Sequence, residues 1–535
     1  MKYPHATPGL LLGLSISLAG WLSLPAPLQA AESRSDAAPE AAPEAAAPSV
    51  AEPTAVSGPA AVRAGGDQAE ASLRSSSASP ALALEDVFSA SARHFPAIQA
   101  AVQETLVKRG EITRALGAFD LALEQDVMAR TSGYYDGKTI ENRLVKPIPE
   151  ANGRLFAGYR YGSDDFPIYE REYVTNGGGE FNLGAVFSLW RDRAIDARRF
   201  GVSAARMAEQ KSQVELIMAR LMTQRNAARG YWRWVNAGLT YNVYARLVKL
   251  AEQRMEGLER RAAAGDVADI FVTENQQNLL RRRALATNAL RNFREAGIAL
   301  SLYLRDETGT PRVPAAQECP DAFPPLPTDR PSTEAVIARA ISARPEVLLL
   351  AVDQSLEQER LRLARNELLP RVDLGLKAMQ DIGPGSETRE GFETKVDLTV
   401  SIPLERRRGQ GSVAASQSRL DQIEWETRLA EDRIRTEVQQ LANAIDTDIE
   451  FVRITRAEAA QARLLEDAER KRFAAGASDF FLVNLREERT ADAELRNLDA
   501  YLDLMLSMTD YQATAVDFVA LGLEPPESLR PAPSL

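Results

Sequence analysis

The chain has 535 residues, with 64 Lys and Arg against 75 Asp and Glu, which gives a net charge of −11. This acidic balance argues against a nucleic-acid partner, which would favour a basic face. With two histidines and one cysteine, Cys319, the sequence offers no internal disulfide, no His or Cys metal cluster and no His-based triad, so we expect no enzyme, no catalytic residue, no metal and no cofactor.

The first 30 residues have the pattern of a secretory signal peptide. Lys2 precedes an apolar run over residues 9–24, and Leu28-Gln29-Ala30 resembles a cleavage site, although Leu is larger than the residue usual there. A membrane anchor is the alternative. Residues 31–80 are rich in Ala and Pro with almost no large apolar side chains, which predicts a disordered leader. No later stretch approaches the ~20 apolar residues of a membrane helix, so any membrane-embedded part would have to be a barrel.

Residues 81–310 predict a first unit of helix, strand, strand, long helix and shorter helix. A helical pattern gives way to two segments of period two, and the residues between them, 130–179, predict a long aromatic-rich loop. No proline occurs between Pro167 and Pro311, and an uninterrupted helix of ~65 residues would be ~100 Å long. The predicted bounds are helix 82–116, strands about 119–128 and 180–189, helix 193–261, a hairpin tip near 265 and helix 269–305.

The same order returns in the second half of the chain, after a Pro-rich connector over residues 311–332. Residues 333–518 predict a second repeat, and residues 519–535 a C-terminal tail. The reversal at Ala263-Ala264-Gly265 corresponds to that at Ala474-Ala475-Gly476. The predicted fold class is mainly α with a small β contribution, built from two tandem repeats. The bounds in the second repeat are helix 333–369, strands about 371–379 and 395–403, helix 412–473, a hairpin tip near 476 and helix 479–514.

Each predicted strand alternates an apolar face with a polar face over ~8–10 residues, which is the pattern of an outer-membrane barrel. A half-buried soluble sheet is the alternative. Four strands cannot close a barrel alone, and open edges in lipid would leave backbone groups unpaired. Three copies would supply twelve strands, although closure alone does not separate three copies from two or four. The residues predicted to line the pore are Asp120, Glu124, Asp126, Asp373, Lys377 and Asp397.

The long helices are too rich in Arg, Glu, Asp and Gln to lie in lipid, so they must run through water, packed side by side. A barrel continued by a hollow helical tunnel follows. We hypothesise that the 130–179 loop folds over the mouth of the barrel or partly into its lumen, with an ordinary surface loop as the alternative. Trp190, Trp232, Trp234 and Trp425 are interpreted as packing residues of the helices.

The doubled order resembles the TolC family of outer-membrane factors over about residues 82–515. Arg344-Pro345-Glu346-Val347, Ser401-Ile402-Pro403-Leu404 and the reversals over 261–265 and 472–476 carry the resemblance. It implies a homotrimeric 12-stranded outer-membrane β-barrel continued by a periplasmic α-helical tunnel. It also implies the exit channel of a tripartite efflux or type I secretion system of a Gram-negative cell, with a periplasmic adaptor (membrane fusion protein) and an inner-membrane transporter as partners. A periplasmic coiled-coil scaffold or adaptor without a channel is the alternative.

The resemblance also implies that the two hairpin tips form the periplasmic gate and the adaptor-docking end. The residues assigned to this tip are Gly265, Asp266, Asp269, Gly476 and Asp479. Leu482 and Leu485 stand where the family pattern would place a second ring of acids, so the gate is either more hydrophobic or has its acids one turn earlier. Helix capping is the alternative role of Asp269 and Asp479.

Overall fold

The computed structural model describes residues 81–133, 137–162, 166, 173–327 and 331–525. The predicted signal peptide, the predicted leader and the end of the predicted tail lie outside these residues. The fold is mainly helical, with six antiparallel strands distributed over two repeats. The helices are α1 (Leu84–His94), α2 (Pro96–Leu116), α3 (Ala197–Ala263), α4 (Asp269–Leu300), α5 (Thr333–Ala343), α6 (Pro345–Glu367), α7 (Arg407–Ala474) and α8 (Phe480–Thr514). The strands are β1 (Ala122–Ala129), β2 (Lys138–Ile148), β3 (Gly153–Gly162), β4 (Glu180–Ser188), β5 (Arg371–Asp381) and β6 (Phe392–Ser401).

Each repeat begins with two helices where the sequence predicted one. Phe95 and Arg344 have extended backbones, with ψ of 123° and 129°, and each is followed by a proline at the first position of the next helix. The proline ring disfavours helical geometry in the residue before it, whereas proline itself fits the first turn of a helix. The predicted helices 82–116 and 333–369 are therefore each broken, at Phe95 and at Arg344.

The two long helices, α3 and α7, contain 67 and 68 residues, which corresponds to ~100 Å each. The side chain of Asp196 caps α3 by accepting from the backbone N–H groups of Arg198 and Arg199, so the helix begins after the predicted Arg193. Helix α7 begins at Arg407, five residues before the predicted start, because it follows directly on Arg406 in a left-handed turn with φ of 49°. Both helices thus start close to the end of a strand.

The strands form one sheet in the order β1-β2-β3-β4-β5-β6, and neighbouring strands are all antiparallel. The prediction of one loop over 130–179 was wrong, because β2 and β3 lie within that range and hydrogen-bond into the sheet. The hypothesis that this segment folds over the mouth or into the lumen fails for residues 138–162 for the same reason. Strand β1 begins at Ala122, after a short 3-10 turn at Gly117–Phe119, so Asp120 precedes the strand.

Each repeat buries its own apolar core where its helices meet. In the first repeat, Trp234 of α3 is 1 % exposed and stacks on Phe293 of α4 at 5.9 Å, and the Tyr231 hydroxyl donates to the Leu82 carbonyl at 2.9 Å. In the second repeat, Val438 of α7 and Leu504 of α8 are fully buried. These cores hold the helices of each repeat together. No helix in the described part of the chain is long and apolar enough to cross a membrane.

The connector between the repeats packs against the first core through Cys319. A Cβ at Gly238 of α3 would stand 2.4 Å from the Cys319 Sγ, so only glycine at this position leaves enough space for the thiol. Burial, and secondarily the charge of Asp321, raise the pKa of the Cys319 thiol to about 12.

We expect Cys319 to resist alkylation in the native protein. At pH 8 a thiol with this pKa is almost entirely protonated, so iodoacetamide labelling should be roughly 1000-fold slower than for an ordinary cysteine. Mass spectrometry of native and urea-unfolded protein after timed labelling measures this ratio. Equal rates in the two states would show that the thiol is not held in the core.

Candidate functional site

One face of the sheet is apolar and exposed across all six strands. The register sets Leu123 of β1 opposite Leu144 of β2, and Leu144 opposite Ala157 of β3, which in turn is opposite Leu183 of β4. Monomeric soluble proteins rarely expose continuous apolar patches of this extent. The large side chains on this face that are more than 40 % exposed are Leu123, Val127, Ile140, Leu144, Leu155, Tyr161, Phe181, Leu183, Leu376, Phe392, Val396, Leu398 and Val400.

The opposite face of the sheet is polar and carries five of the six predicted pore-lining residues. The register aligns Glu124 with Arg143, Lys377 with Lys395, and Gly375 with Asp397, so all of these side chains share that face. Asp126 and Asp373 lie on the same face at alternate positions of their strands. Asp120 is the exception, because it precedes β1 and is exposed in the turn after α2.

Two ion-paired groups on the polar face are already neutralised within one chain. Asp373 is buried and accepts from the Ser188 hydroxyl at 3.0 Å and from Arg371 Nε at 2.7 Å. Glu180 is also buried and pairs with Arg160 of β3 at 2.6 Å and with Lys377 of β5 at 3.6 Å. The sequence did not indicate the second group, because Arg160 fell in the predicted loop.

At one end of the sheet, side-chain hydrogen bonds connect the turns that lie between strands and helices. Asp192 has a left-handed backbone, with φ of 68°, and exchanges two hydrogen bonds with the buried Asn366 side chain, at 2.9 and 2.8 Å. Arg199 in the first turn of α3 donates to Asp196 at 2.8 Å and to Asn152 in the β2–β3 turn at 2.7 Å. This end of the sheet is therefore a rigid junction with the helices.

At the far end of the helices, the two hairpins turn with the same backbone geometry. Gly265 and Gly476 have φ of 79° and 73°, and a Cβ on either would meet nothing within 4 Å. The residue after each glycine donates from its backbone N–H to a carbonyl in the last helical turn, that of Arg261 or Arg472, at 2.9 Å. The positive φ, rather than lack of space, explains the glycines.

The acids at the tips differ in their roles. Asp479 caps α8, because its carboxylate accepts from the Leu482 backbone N–H at 2.8 Å. Asp269 is the first residue of α4, whose cap position is Ala268, so the capping alternative was wrong for Asp269. Asp266, Asp269 and Asp479 are all exposed around the turns. Leu482 and Leu485 are half-buried in α8.

A buried ion cluster within about four helical turns of the tips was not predicted from the sequence. Glu487 of α8 is fully buried and accepts from Arg282 of α4 at 2.8 Å, from Arg254 of α3, and from Arg470 of α7 at 3.3 Å. Arg282 is only 1 % exposed and also donates to the Leu247 carbonyl at 3.1 Å. One carboxylate thus holds arginines from three other helices, and it joins the two hairpins.

The charge balance of this cluster depends on Glu487. Burial lowers the pKa of the Arg254 guanidinium, and the attraction of Glu487 opposes that shift. The Asn484 side-chain carbonyl also accepts from Arg254 and, at 3.5 Å, from Arg282. One helical heptad further along α8, Glu494 repeats the arrangement with Arg463 of α7 at 2.6 Å and with Arg246 of α3.

Within the residues that the structure describes, no group of three or more His, Cys, Asp or Glu side chains is placed to hold a metal ion.

Comparisons with known proteins agree with this architecture. The family model described as outer membrane efflux protein matches residues 336–508, from α5 to α8. No curated relative matches the chain by sequence. Among solved structures, the open state of the MtrE outer membrane channel of Neisseria gonorrhoeae is 14 % identical, with a TM-score of 0.58 over 82 % of this chain and 89 % of that chain. The outer membrane protein VceC of Vibrio cholerae is 13 % identical, with a TM-score of 0.57 over 81 % and 95 %. The CmeC outer membrane channel of Campylobacter jejuni is 13 % identical, with a TM-score of 0.55 over 84 % and 90 %.

Proposed function

We propose that three copies of this chain, whose residues 336–508 match the outer membrane efflux protein family, assemble into the exit channel of a tripartite efflux or type I secretion system. The protein is an outer-membrane efflux channel with a periplasmic helical portion. The channel conducts its substrate passively from an inner-membrane transporter to the exterior. A periplasmic adaptor connects that transporter to the hairpin tips.

The observation that carries the proposal is the two-faced sheet with open ends. An exposed apolar face on all six strands requires lipid, and the polar face behind it requires water. Within the described residues β1 and β6 end the sheet, so each leaves one row of backbone hydrogen-bonding groups without a strand partner. Since lipid offers no hydrogen bonds, neighbouring copies must supply those partners.

The surfaces of the helices support assembly of several copies. Exposed large apolar residues lie on α2, α4 and α7, where one chain alone leaves them in water. Burying such side chains between copies is favourable at roughly 25 cal/mol per Å². These residues are Leu106, Val107, Ile270, Phe271, Leu280, Leu285, Ile298, Trp425, Leu429, Phe451, Ile454, Leu464 and Leu465.

The hairpin tips form the gate of the proposed channel. The exposed turn residues Gly265, Asp266, Asp269, Gly476 and Asp479 meet the adaptor, and the Glu487 cluster above them holds the two hairpins of each chain together at rest. Opening requires the hairpins to separate, so the cluster acts as the latch of the closed state. The burial of Arg254 and Arg282 supports this role, because these two guanidinium groups cannot be released to water without moving a helix.

Replacing Leu398 with arginine should prevent stable insertion, whereas replacing its neighbour Thr399 should not. Leu398 is 62 % exposed on the apolar face, and arginine on a lipid-facing position costs ~2–4 kcal/mol per chain near the bilayer midplane. Thr399 lies on the polar face of the same strand. The fraction of each variant that stays in the outer membrane until detergent is added measures the difference.

Two results would overturn the channel proposal. One is equal membrane retention of Leu398→Arg and Thr399→Arg, which would mean that neither face contacts lipid. The other is release of the unmodified protein by high salt alone, which would indicate a periplasmic scaffold or adaptor.

A further inference from the structure

We propose that the β2–β3 hairpin is a full part of the membrane wall, so that three copies close a barrel of eighteen strands; this rests on the channel function proposed above. Each chain supplies six strands to one continuous sheet, and three times six is eighteen. The sequence predicted twelve strands because it indicated only four per chain. Whether the wall has twelve or eighteen strands depends on whether the β2–β3 hairpin lies in it.

The hairpin reaches from one end of the sheet to the other. Strands β2 and β3 have 11 and 10 residues, which matches the ~9–11 residues that a tilted strand needs to cross a bilayer. At the helical end, the Asn152 carbonyl in the β2–β3 turn accepts from the Ser188 backbone N–H at 3.0 Å, and its side chain accepts from Arg199. At the other end, the Tyr159 hydroxyl donates to the Gly178 carbonyl at 2.9 Å, beside the loop that leads into β4.

The hairpin also separates β1 from β4. Strand β1 pairs with β2 over its whole length, from Ala122 opposite Val145 to Ala129 opposite Lys138. Strand β3 pairs with β4 from Gly153 to Arg160. Both ladders are continuous, so removing the hairpin from the wall would break two full sets of backbone hydrogen bonds. In lipid those bonds have no replacement.

Both faces of the hairpin continue the faces of the sheet. Ile140, Leu144 and Leu155 extend the exposed apolar face. On the polar face, Arg160 forms the buried ion pair with Glu180 of β4. A hairpin folded into the lumen would instead present its apolar side to water.

The ends of the six-stranded sheet fit a second copy of the same chain. Strand β1 runs away from the helices and β6 runs back toward them, so β6 of one copy meets β1 of the next in antiparallel fashion. Leu123 of β1 and Leu398 of β6 lie on the same apolar face, which therefore continues across the junction. On the polar face, β6 carries Lys395 between Glu393 and Asp397, so Lys395 is the residue of that strand that could pair with the acids of β1.

Eighteen strands make a wider mouth. With a strand spacing of ~4.8 Å and a tilt of ~40°, the backbone diameter is about 36 Å for eighteen strands and about 24 Å for twelve. The cross-section enclosed by the backbone is then roughly twice as large, because it scales with the square of the diameter. The exit end of this channel would therefore admit bulkier solutes than a twelve-stranded wall.

Disulfide formation within one chain tests the position of the hairpin. In a Cys319→Ala background, Asp126→Cys combined with Glu141→Cys joins directly opposite positions of β1 and β2. Asp126→Cys combined with Asn182→Cys joins β1 to β4, which lie three strand spacings apart, so the hairpin holds this pair at least ~14 Å apart. Since a disulfide requires Cα atoms less than about 7 Å apart, only the first pair should close on oxidation of intact outer membranes. Closure of the second pair and not the first would overturn the proposal.

Disulfides between chains and a direct count of strands complete the test. Asp126→Cys should form covalent trimers with cysteine at one of the polar-face positions of β6, which are Glu393, Lys395, Asp397 and Thr399. Electron cryomicroscopy of the full chain in lipid nanodiscs should resolve eighteen wall strands. A trimeric channel with twelve wall strands would overturn this inference and leave the channel function standing, whereas a protein that never enters the outer membrane would overturn the channel function itself.

Discussion

Replacing Glu487 with alanine is expected to release the two helical hairpins from each other near their tips. Arg282 is 1 % exposed and would be left as a buried cation beside Arg254, without the carboxylate that pairs with both. Removing one partner of a buried ion pair costs on the order of 3–5 kcal/mol. We expect amide hydrogen exchange in the tip halves of α4 and α8 to quicken by roughly 100-fold or more. Single-channel conductance should rise if the tips are the gate.

Two variants control this experiment. Glu488→Ala, at the next position of α8, removes only a partly exposed pair with Arg281, at 3.4 Å, and should change exchange by less than about fivefold. The triple variant Glu487→Leu, Arg254→Met and Arg282→Met replaces the most buried charges of the cluster with apolar side chains of similar size, and should restore slow exchange. If Glu487→Ala and Glu488→Ala behaved alike, the cluster would not be a latch.

The sequence predicted the long helices and their reversals because two simple signals, the absence of proline and a terminal glycine, were sufficient to identify them. Long stretches without proline, ended by a glycine at the same point in both repeats, predicted helices that the structure places at Ala197–Ala263 and Arg407–Ala474. The mainly helical fold with two repeats is confirmed, and the family model for outer membrane efflux proteins matches residues 336–508, within the second repeat. The broken helices at Pro96 and Pro345 were readable in principle, since the residue before a proline disfavours helical geometry.

The β2–β3 hairpin was missed because its pattern of apolar and polar residues is mixed. Phe156 lies on the polar face and fills the space above Gly184, whose missing Cβ would stand 2.3 Å from the Phe156 ring. On the same face, a Cβ at Gly158 would stand 3.0 Å from the Asn182 side-chain oxygen. A large residue over a glycine packs well in the sheet but breaks the alternation that identifies a strand. Composition rich in Gly, Tyr and Pro then favoured a loop.

The Glu487 cluster lies beyond what one sequence can reveal. Its arginines are 205 and 233 residues away along the chain, on α4 and α3. Each of these helices is rich in arginine and glutamate, and an ion pair that faces solvent has the same sequence signature as one that is buried. Only the packing of α8 between the other helices distinguishes Glu487 from the half-exposed Glu488 beside it.

The four tryptophans that the sequence assigned to helix packing separate into two groups, and two alanine substitutions should expose the difference. Trp234 is 1 % exposed in the first core, whereas Trp425 of α7 is 67 % exposed in one chain and lies under the Arg428 guanidinium at 4.6 Å. Trp190 is likewise mostly exposed, whereas Trp232 is partly buried and packs against both cores. The packing interpretation therefore holds within one chain for Trp234 but not for Trp425.

Trp234→Ala should destabilise the chain itself, because it empties the space between Phe293 and Tyr231 and costs about 3–5 kcal/mol. Trp425→Ala should leave the fold of each chain intact and instead weaken the contact between copies. Thermal unfolding followed by near-UV circular dichroism should show a lower midpoint for Trp234→Ala, while sedimentation in detergent should show a smaller trimer fraction for Trp425→Ala. If Trp425→Ala left the trimer unchanged at every protein concentration, α7 would not pack against a neighbouring copy at this residue, and the contact would have to be sought on the exposed apolar residues of α2 and α4.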